Sequence, residues 1–164
     1  MAEKSSISRV GTTEPFELQV SRGQISYHKT NFKFGFNADI DDSLETIWSE
    51  GGLYSYLTSA TVLKISSAST DDASAGTGAR TITISGLDGS YNEISESVTL
   101  NGQTAVNTTN SFLRVFRMIV DTAGSGGQNA GKIYAGTGTV TSGVPANKYG
   151  VIDVGDNQTL MCFW

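Results

Sequence analysis

A single cysteine, Cys162, leaves this chain of 164 residues with no internal disulfide, so its fold must stand on its own core. One histidine, His28, is all there is for a histidine-based metal cage or a Ser-His-Asp triad, and no Gly-x-Ser-x-Gly elbow accompanies it. The plainer reading of His28 is a solvent-facing or edge-strand residue. Prolines number two, Pro15 and Pro145. Charge is also scarce: 16% of residues carry it, against about 25% in ordinary globular proteins. No run approaches the ~20 apolar residues of a membrane span, and the opening MAEKSSISRV has no apolar signal segment. These absences lead to the expectation of a protein made in a reducing cytoplasm with no membrane partner. Basic clusters are missing as well. With 11 Lys and Arg against 16 Asp and Glu, the net charge is -5, the wrong sign for a direct nucleic-acid partner, whose binding is driven by counterion release.

In place of charge stand Ser, Thr, Asn and 19 Gly. Residues 1–14 are polar, without periodicity, and end at Pro15, which suggests an arm; residues 15–164 are long enough for one domain with a core. Phe16, Leu18 and Val20 alternate with polar residues, and Arg22-Gly23 then punctuates before Ile25 and Tyr27, which predicts a first hairpin. In NFKFGFN, Phe32, Phe34 and Phe36 share one side of an extended segment. Residues 41–52 are the one helical candidate, capped by Asp41 or Asp42 with Glu45 placed for a capping box. An extended reading competes there, because Trp48, Tyr54 and Tyr56 also suit a strand and its turn.

Leu63 and Ile65 mark a strand, after which SSASTDDASAGTG reads as a surface loop too polar to pack. Ile82 and Ile84 face one way, Thr81 and Thr83 the other, and Ile94, Val98 and Leu100 continue the alternation. Asn101-Gly102 predicts a type I′ hairpin turn that sets Leu100 opposite Gln103 and Val98 opposite Ala105. Glu96 then shares a face with Val98 and Leu100, so it is expected at a sheet rim or opposite Arg114 or Arg117. FLRVFRMIV, residues 112–120, is apolar on both faces and reads as a central strand, with a helix as the rival. Segments 132–135, 149–154 and 159–164 complete about eight to ten short strands with at most one short helix. The expected fold class is all-β, an antiparallel, jelly-roll-like β-sandwich.

No chemistry-bearing motif survives inspection. Gly126-Gly127-Gln128-Asn129-Ala130-Gly131-Lys132 has the spacing of a phosphate loop, but Ile133 stands where a Ser or Thr would hold magnesium, and strand-forming residues follow where a helix is needed. Asp39, Asp41 and Asp42, or Asp71 and Asp72, lack the spaced ligands of a calcium loop; Asp71 and Asp72 read as solvated loop charges. No catalytic, cofactor-binding or metal-binding residues are therefore assigned, and an enzyme is not expected. Cys162, in the apolar run 160–164, reads as a buried or interface residue. Trp48, Tyr54 and Tyr56, beside Gly51-Gly52, are either core or contact residues.

Three phrases carry a resemblance: FGFNADIDDSLETIWSEGGLYSYL, GTGARTITISGLDGSYNEISESVTLNGQTAV and NSFLRVFRMIVDTAGSGGQNAGKIYAG. Together they resemble a group of virion structural proteins of tailed phages, common among marine and cyanobacterial phages, over residues 34–159. The distinctive units are Ile47-Trp48 with Gly51-Gly52, Gly78-Ala79-Arg80, Gly86-Leu87-Asp88, and Asn129-Ala130-Gly131-Lys132-Ile133. The resemblance implies a virion protein, a cement or decoration protein on the outside of the head, made in the bacterial host cytoplasm. Its expected partners are the major capsid protein and itself, as a homotrimer, with Phe16, Trp48, Tyr54 and Tyr56 as contact residues. Similar proteins continue past the position of Trp164, so the resemblance implies a last strand that is either complete here or supplied by a neighbouring subunit. The alternative is a tail, neck or fibre protein with a host-glycan-binding sandwich.

Overall fold

The computed structural model describes residues 14–28, 34–38 and 40–160. The polar arm before Glu14, Phe32, Asp39 and the final run with Cys162 lie outside them. The chain divides into two compact units, Met1–Lys33 and Phe34–Trp164, whereas composition placed the boundary after residue 14.

In the first unit, Phe16–Ser21 is a six-residue helix, α1. This corrects the expected strand and hairpin. Pro15 supplies the cause: its carbonyl accepts the Leu18 and Gln19 amides at 3.1 and 3.2 Å, and Gln19 Nε2 donates to the Glu14 carbonyl at 2.8 Å. Arg22 pairs with Glu14, and Gly23, at φ +68°, ends the turn. Local bonds thus outweigh a period-two pattern too short to recruit a pairing strand. Ile25 and Tyr27 lie in turns, and His28 is exposed, its Nδ1–H donating to the Ser26 carbonyl at 3.0 Å.

The second unit is a two-sheet antiparallel sandwich of seven strands: β1 (Thr61–Ser67), β2 (Ala79–Leu87), β3 (Glu93–Thr99), β4 (Val106–Phe112), β5 (Arg114–Ala123), β6 (Ile133–Thr141) and β7 (Val144–Ile152). One sheet runs β4-β1-β6-β7 and the other β3-β2-β5. Their inner faces meet in a core of Leu63, Ile65, Ile82, Ile84, Val98, Phe112, Val115, Met118, Ile133 and Ile152. Ile82 and Ile84 point inward as their alternation required. Gly150 permits the close approach of β7 to the other sheet, since a Cβ there would lie 2.7 Å from Met118 Sδ.

Three local readings are corrected. Residues 41–52 form no helix; Asp41 Oδ1 accepts the Ser43 amide at 2.6 Å and caps a bend instead. Asn101-Gly102 is not a hairpin turn but the crossing between sheets, because β3 pairs with β2 and β4 with β1. Gly102 laces this crossing to the polar loop, donating to the Asp72 carbonyl at 2.8 Å and accepting the Ser67 amide at 2.9 Å. A two-residue hairpin turn with φ positive at both positions is instead found at Ser142-Gly143, at +48° and +80°, joining β6 to β7. Residues 112–120 are not one central strand: the chain changes sheets at Leu113, and β5 is the outer strand of its sheet, its free edge met by the bridge from Ile119 to Gln158.

Glu96 does lie at the rim, yet its partners are not arginines. Its carboxylate accepts the Thr109 and Asn110 amides of β4 at 2.6 and 2.8 Å, joining the edge strands of the two sheets. The amides are available because β4 slips register against β1 between Val62 and Lys64. Within that slip Thr108 Oγ1 accepts the Leu63 amide at 2.9 Å and donates to the Asn110 carbonyl at 2.8 Å.

The largest correction concerns the polar loop after β1. Thr70, Asp71, Ser74, Ala75 and Thr77 are exposed as expected, but Asp72, like Ser66 and Ser67 at the end of β1, is fully buried rather than solvated. Asp72 Oδ1 accepts the Ala79 and Ala130 amides at 2.7 and 2.8 Å; Oδ2 accepts the Gly131 amide at 2.9 Å and the Ser67 hydroxyl at 2.5 Å. The phosphate-loop lookalike therefore spends two of its amides on the protein's own carboxylate. Asn129, also fully buried, closes the other side, donating to the Gly131 and Asp153 carbonyls at 2.8 and 2.7 Å. Gly78 is required here, since a Cβ would strike Asp72 Oδ1.

Candidate contact surface

Before β1, residues 34–38 and 40–60 form an irregular strap across the sandwich. The strap is held by an aromatic plug and an ionic latch. Trp48, 6% exposed, packs with Tyr134 of β6 and Val151 of β7, and its Nε1–H donates to the Gly51 carbonyl at 2.6 Å. Tyr54 stands edge-on to Trp48 at 5.0 Å and to Tyr56 at 4.9 Å, and its hydroxyl donates to the Tyr149 carbonyl at 2.9 Å. Burial, then the neighbouring Tyr56, raises the Tyr54 hydroxyl above its ordinary pKa, so it stays a donor.

Glu50 is the latch. It pairs with Lys132 at 2.8 Å and with Lys148, and Lys132 also reaches Asp153 at 2.9 Å. Burial alone would push the Glu50 carboxyl up, but the hydrogen bonds and charges of the two lysines outweigh it and hold it below 4.5. Lys132 is the mirror case: desolvation opposes its charge, yet Glu50 and Asp153 raise it above the ordinary 10.5. The signs define a window. Glu50 stabilises the closed latch above about pH 4.5 and loses this as pH falls through its depressed folded value. Lys132 stabilises it below 10.5 and loses this as pH rises through its elevated one. Acrylamide quenching of Trp48 in a Trp164→Phe background checks it: quenching should be low at neutral pH and rise in acid, and Glu50→Gln should raise it already at neutral pH. Equal quenching in parent and variant at neutral pH would dismiss the latch.

The four expected contact residues thus divide. Trp48 and Tyr54 are taken up in packing the strap onto the sheet. Tyr56 is 46% exposed, with the Arg114 guanidinium 4.9 Å from its ring centroid. Phe16 belongs to the other unit, 49% exposed and edge-on to His28 at 5.6 Å. Residues not named as contacts from sequence are also exposed along the strap: Ile40, Leu44, Ile47 and Leu53, Leu44 at 87%. Their signal was present as isolated apolar residues in a segment without sustained period, where neither strand nor helix could hide them all.

Fold and surface together define an all-β two-sheet module presenting an apolar strap. No protein-family model, curated protein or solved structure matches the chain.

Proposed function

We propose that this protein is a capsid cement, or decoration, protein of a tailed phage, which binds the outside of the assembled head and stabilises it by multivalent non-covalent contacts, without catalysis. One observation carries the reading. The strap is pinned at Trp48 and Glu50 and yet displays Phe36, Ile40, Leu44, Ile47 and Leu53 to solvent, a concentration of exposed apolar side chains that marks an interaction surface. The virion resemblance supplies the partner, the major capsid protein, and a homotrimer would let several straps engage one shell. Linked sites gain avidity through effective concentration, and binding only the assembled shell shifts its stability by mass action.

Reconstitution onto heads lacking the protein tests this. A Leu44→Asp/Leu53→Asp variant should fold normally, since both side chains are exposed. Burial of each leucine stabilises by about 2 kcal/mol, so their joint loss should weaken each contact by a factor on the order of 1,000. Undiminished occupancy would remove the strap from the reading, and deletion of residues 1–14 tests the arm in the same way. Copy number separates the rival: hundreds of copies per particle places the protein on the head, a dozen or fewer in the tail or neck.

A further inference from the structure

A second surface lies where the strap ends. Residues 56–60, the β2–β3 turn and the crossing at Leu113-Arg114 enclose an open cleft of about 600 Å³. Two exposed tyrosines line it: Tyr56, and Tyr91 at 70% exposure. Tyr91 sits at φ +63°, a conformation costly for a bulky side chain and natural for glycine or asparagine. Both residue types are available in the same turn, at Gly89 and Asn92, yet the aromatic occupies the strained position. Asp88 holds it there: its Oδ1 accepts the Ser90 and Asn92 amides at 2.8 and 2.9 Å, its Oδ2 accepts Asn92 Nδ2 at 3.1 Å, and its carbonyl accepts the Tyr91 amide at 3.1 Å. The turn is thus built to project a ring into water.

Arg114 lines the same cleft, already oriented. Its Nη1 donates to the Leu57 and Leu113 carbonyls at 2.8 and 2.7 Å while the guanidinium stacks over Tyr56. Among the described residues Nε and Nη2 donate to no acceptor, a preorganised fork of the kind that receives a planar carboxylate. The exposed Thr58 and Ser59 beside it add hydroxyls suited to polar partners.

We infer that this cleft binds a carboxylated saccharide, of the hexuronate class. The apolar faces of the sugar rings would lie on Tyr56 and Tyr91, a carboxylate on Arg114, and ring hydroxyls on Thr58 and Ser59. Stacking rings, a single oriented cation and neutral hydroxyls in one open cleft suit a saccharide better than an acidic peptide, which would need more than one cation on this acidic chain. The inference is independent of whether the protein sits on a head or a tail.

The test is titration of the intact protein with a galacturonate tetramer, its methyl-esterified uncharged counterpart and an acidic pentapeptide, followed by amide chemical shifts. The tetramer should produce saturable shifts at residues 56–60 and 89–91 with a Kd of about 1 mM, and the ester should bind about 10-fold more weakly or worse. Tyr91→Ala should weaken the tetramer about 3- to 10-fold. Tyr91→Gly, which takes the left-handed conformation without strain, should unfold at higher denaturant while binding as weakly as the alanine variant. The inference is overturned by an absence of saturable shifts, by equal binding of the ester, by tighter binding of the pentapeptide, or by full affinity in both Tyr91 variants.

Discussion

Replacing Asp72 with alanine is expected to lower the stability of the sandwich by about 4 kcal/mol, because one carboxylate satisfies four donors at once, three of them in buried bonds. Three of the four are backbone amides, of Ala79, Ala130 and Gly131, which no change of rotamer can redirect. Each stranded donor costs about 1–3 kcal/mol, and water entering the vacated space offsets part of the sum. At a urea dependence of about 2 kcal/mol per molar, the midpoint should fall by about 2 M. Asp72→Asn preserves the volume but exchanges one acceptor oxygen for an amino group facing N–H donors, so it should recover less than half of the loss. Urea unfolding followed by circular dichroism makes the measurement. An alanine variant within about 1 kcal/mol of the parent would mean that these amides find other acceptors and that Asp72 is not the tie between the loops.

Trp48→Ala should release the strap while leaving the sandwich folded. The ring is buried against Tyr54, Tyr134 and Val151, in a cluster separate from the main core, and removing a buried tryptophan costs about 3–5 kcal/mol. That loss falls on a segment whose amide bonds are largely local. The amides of Thr46, Gly51 and Tyr54 bond within the strap, to the Gly52 carbonyl, the Trp48 carbonyl and Thr46 Oγ1. In the variant they should exchange with solvent at least about 100-fold faster, while the Ile82 and Ile84 amides keep their protection. Equal acceleration in both sets would show that strap and sandwich unfold as one unit. If the strap grips a capsid, the same variant should also lose shell occupancy.

Period-two alternation was sufficient wherever a strand had one buried face and a partner to pair with: Leu63 and Ile65, Ile82 and Ile84, and Val98 all point where the pattern placed them. It misled at Phe16, Leu18 and Val20, where local bonds to Pro15 and Glu14 decide the conformation. The Asn101-Gly102 dipeptide has turn chemistry, and a turn is present, with the Thr104 amide donating to the Asn101 carbonyl at 3.1 Å. Which strands it joins is a long-range matter, settled by β2 pairing β3 and β1 pairing β4.

The candidate surfaces divide in the same way. Tyr56 was legible as an aromatic near the Gly51-Gly52 break, whereas Tyr91 and Arg114 are 35 and 58 positions beyond it in the chain and meet it only across the folded module. The Gly78-Ala79-Arg80 and Asn129-Ala130-Gly131-Lys132 units stood out as phrases, but their common purpose required Asp72 between them.

By itself the sequence determined an all-β chain, the inward faces of its regular strands, and an acidic, weakly charged surface, because these follow from residue type and short-range spacing. Only the tertiary structure decided that Asp72, in a Ser- and Asp-rich loop, is core, that Trp48 is a plug rather than a platform, and which exposed side chains line one cleft. The physical reason is that a polar group's place depends on whether distant backbone donors converge on it, and that convergence exists only once the two sheets have closed.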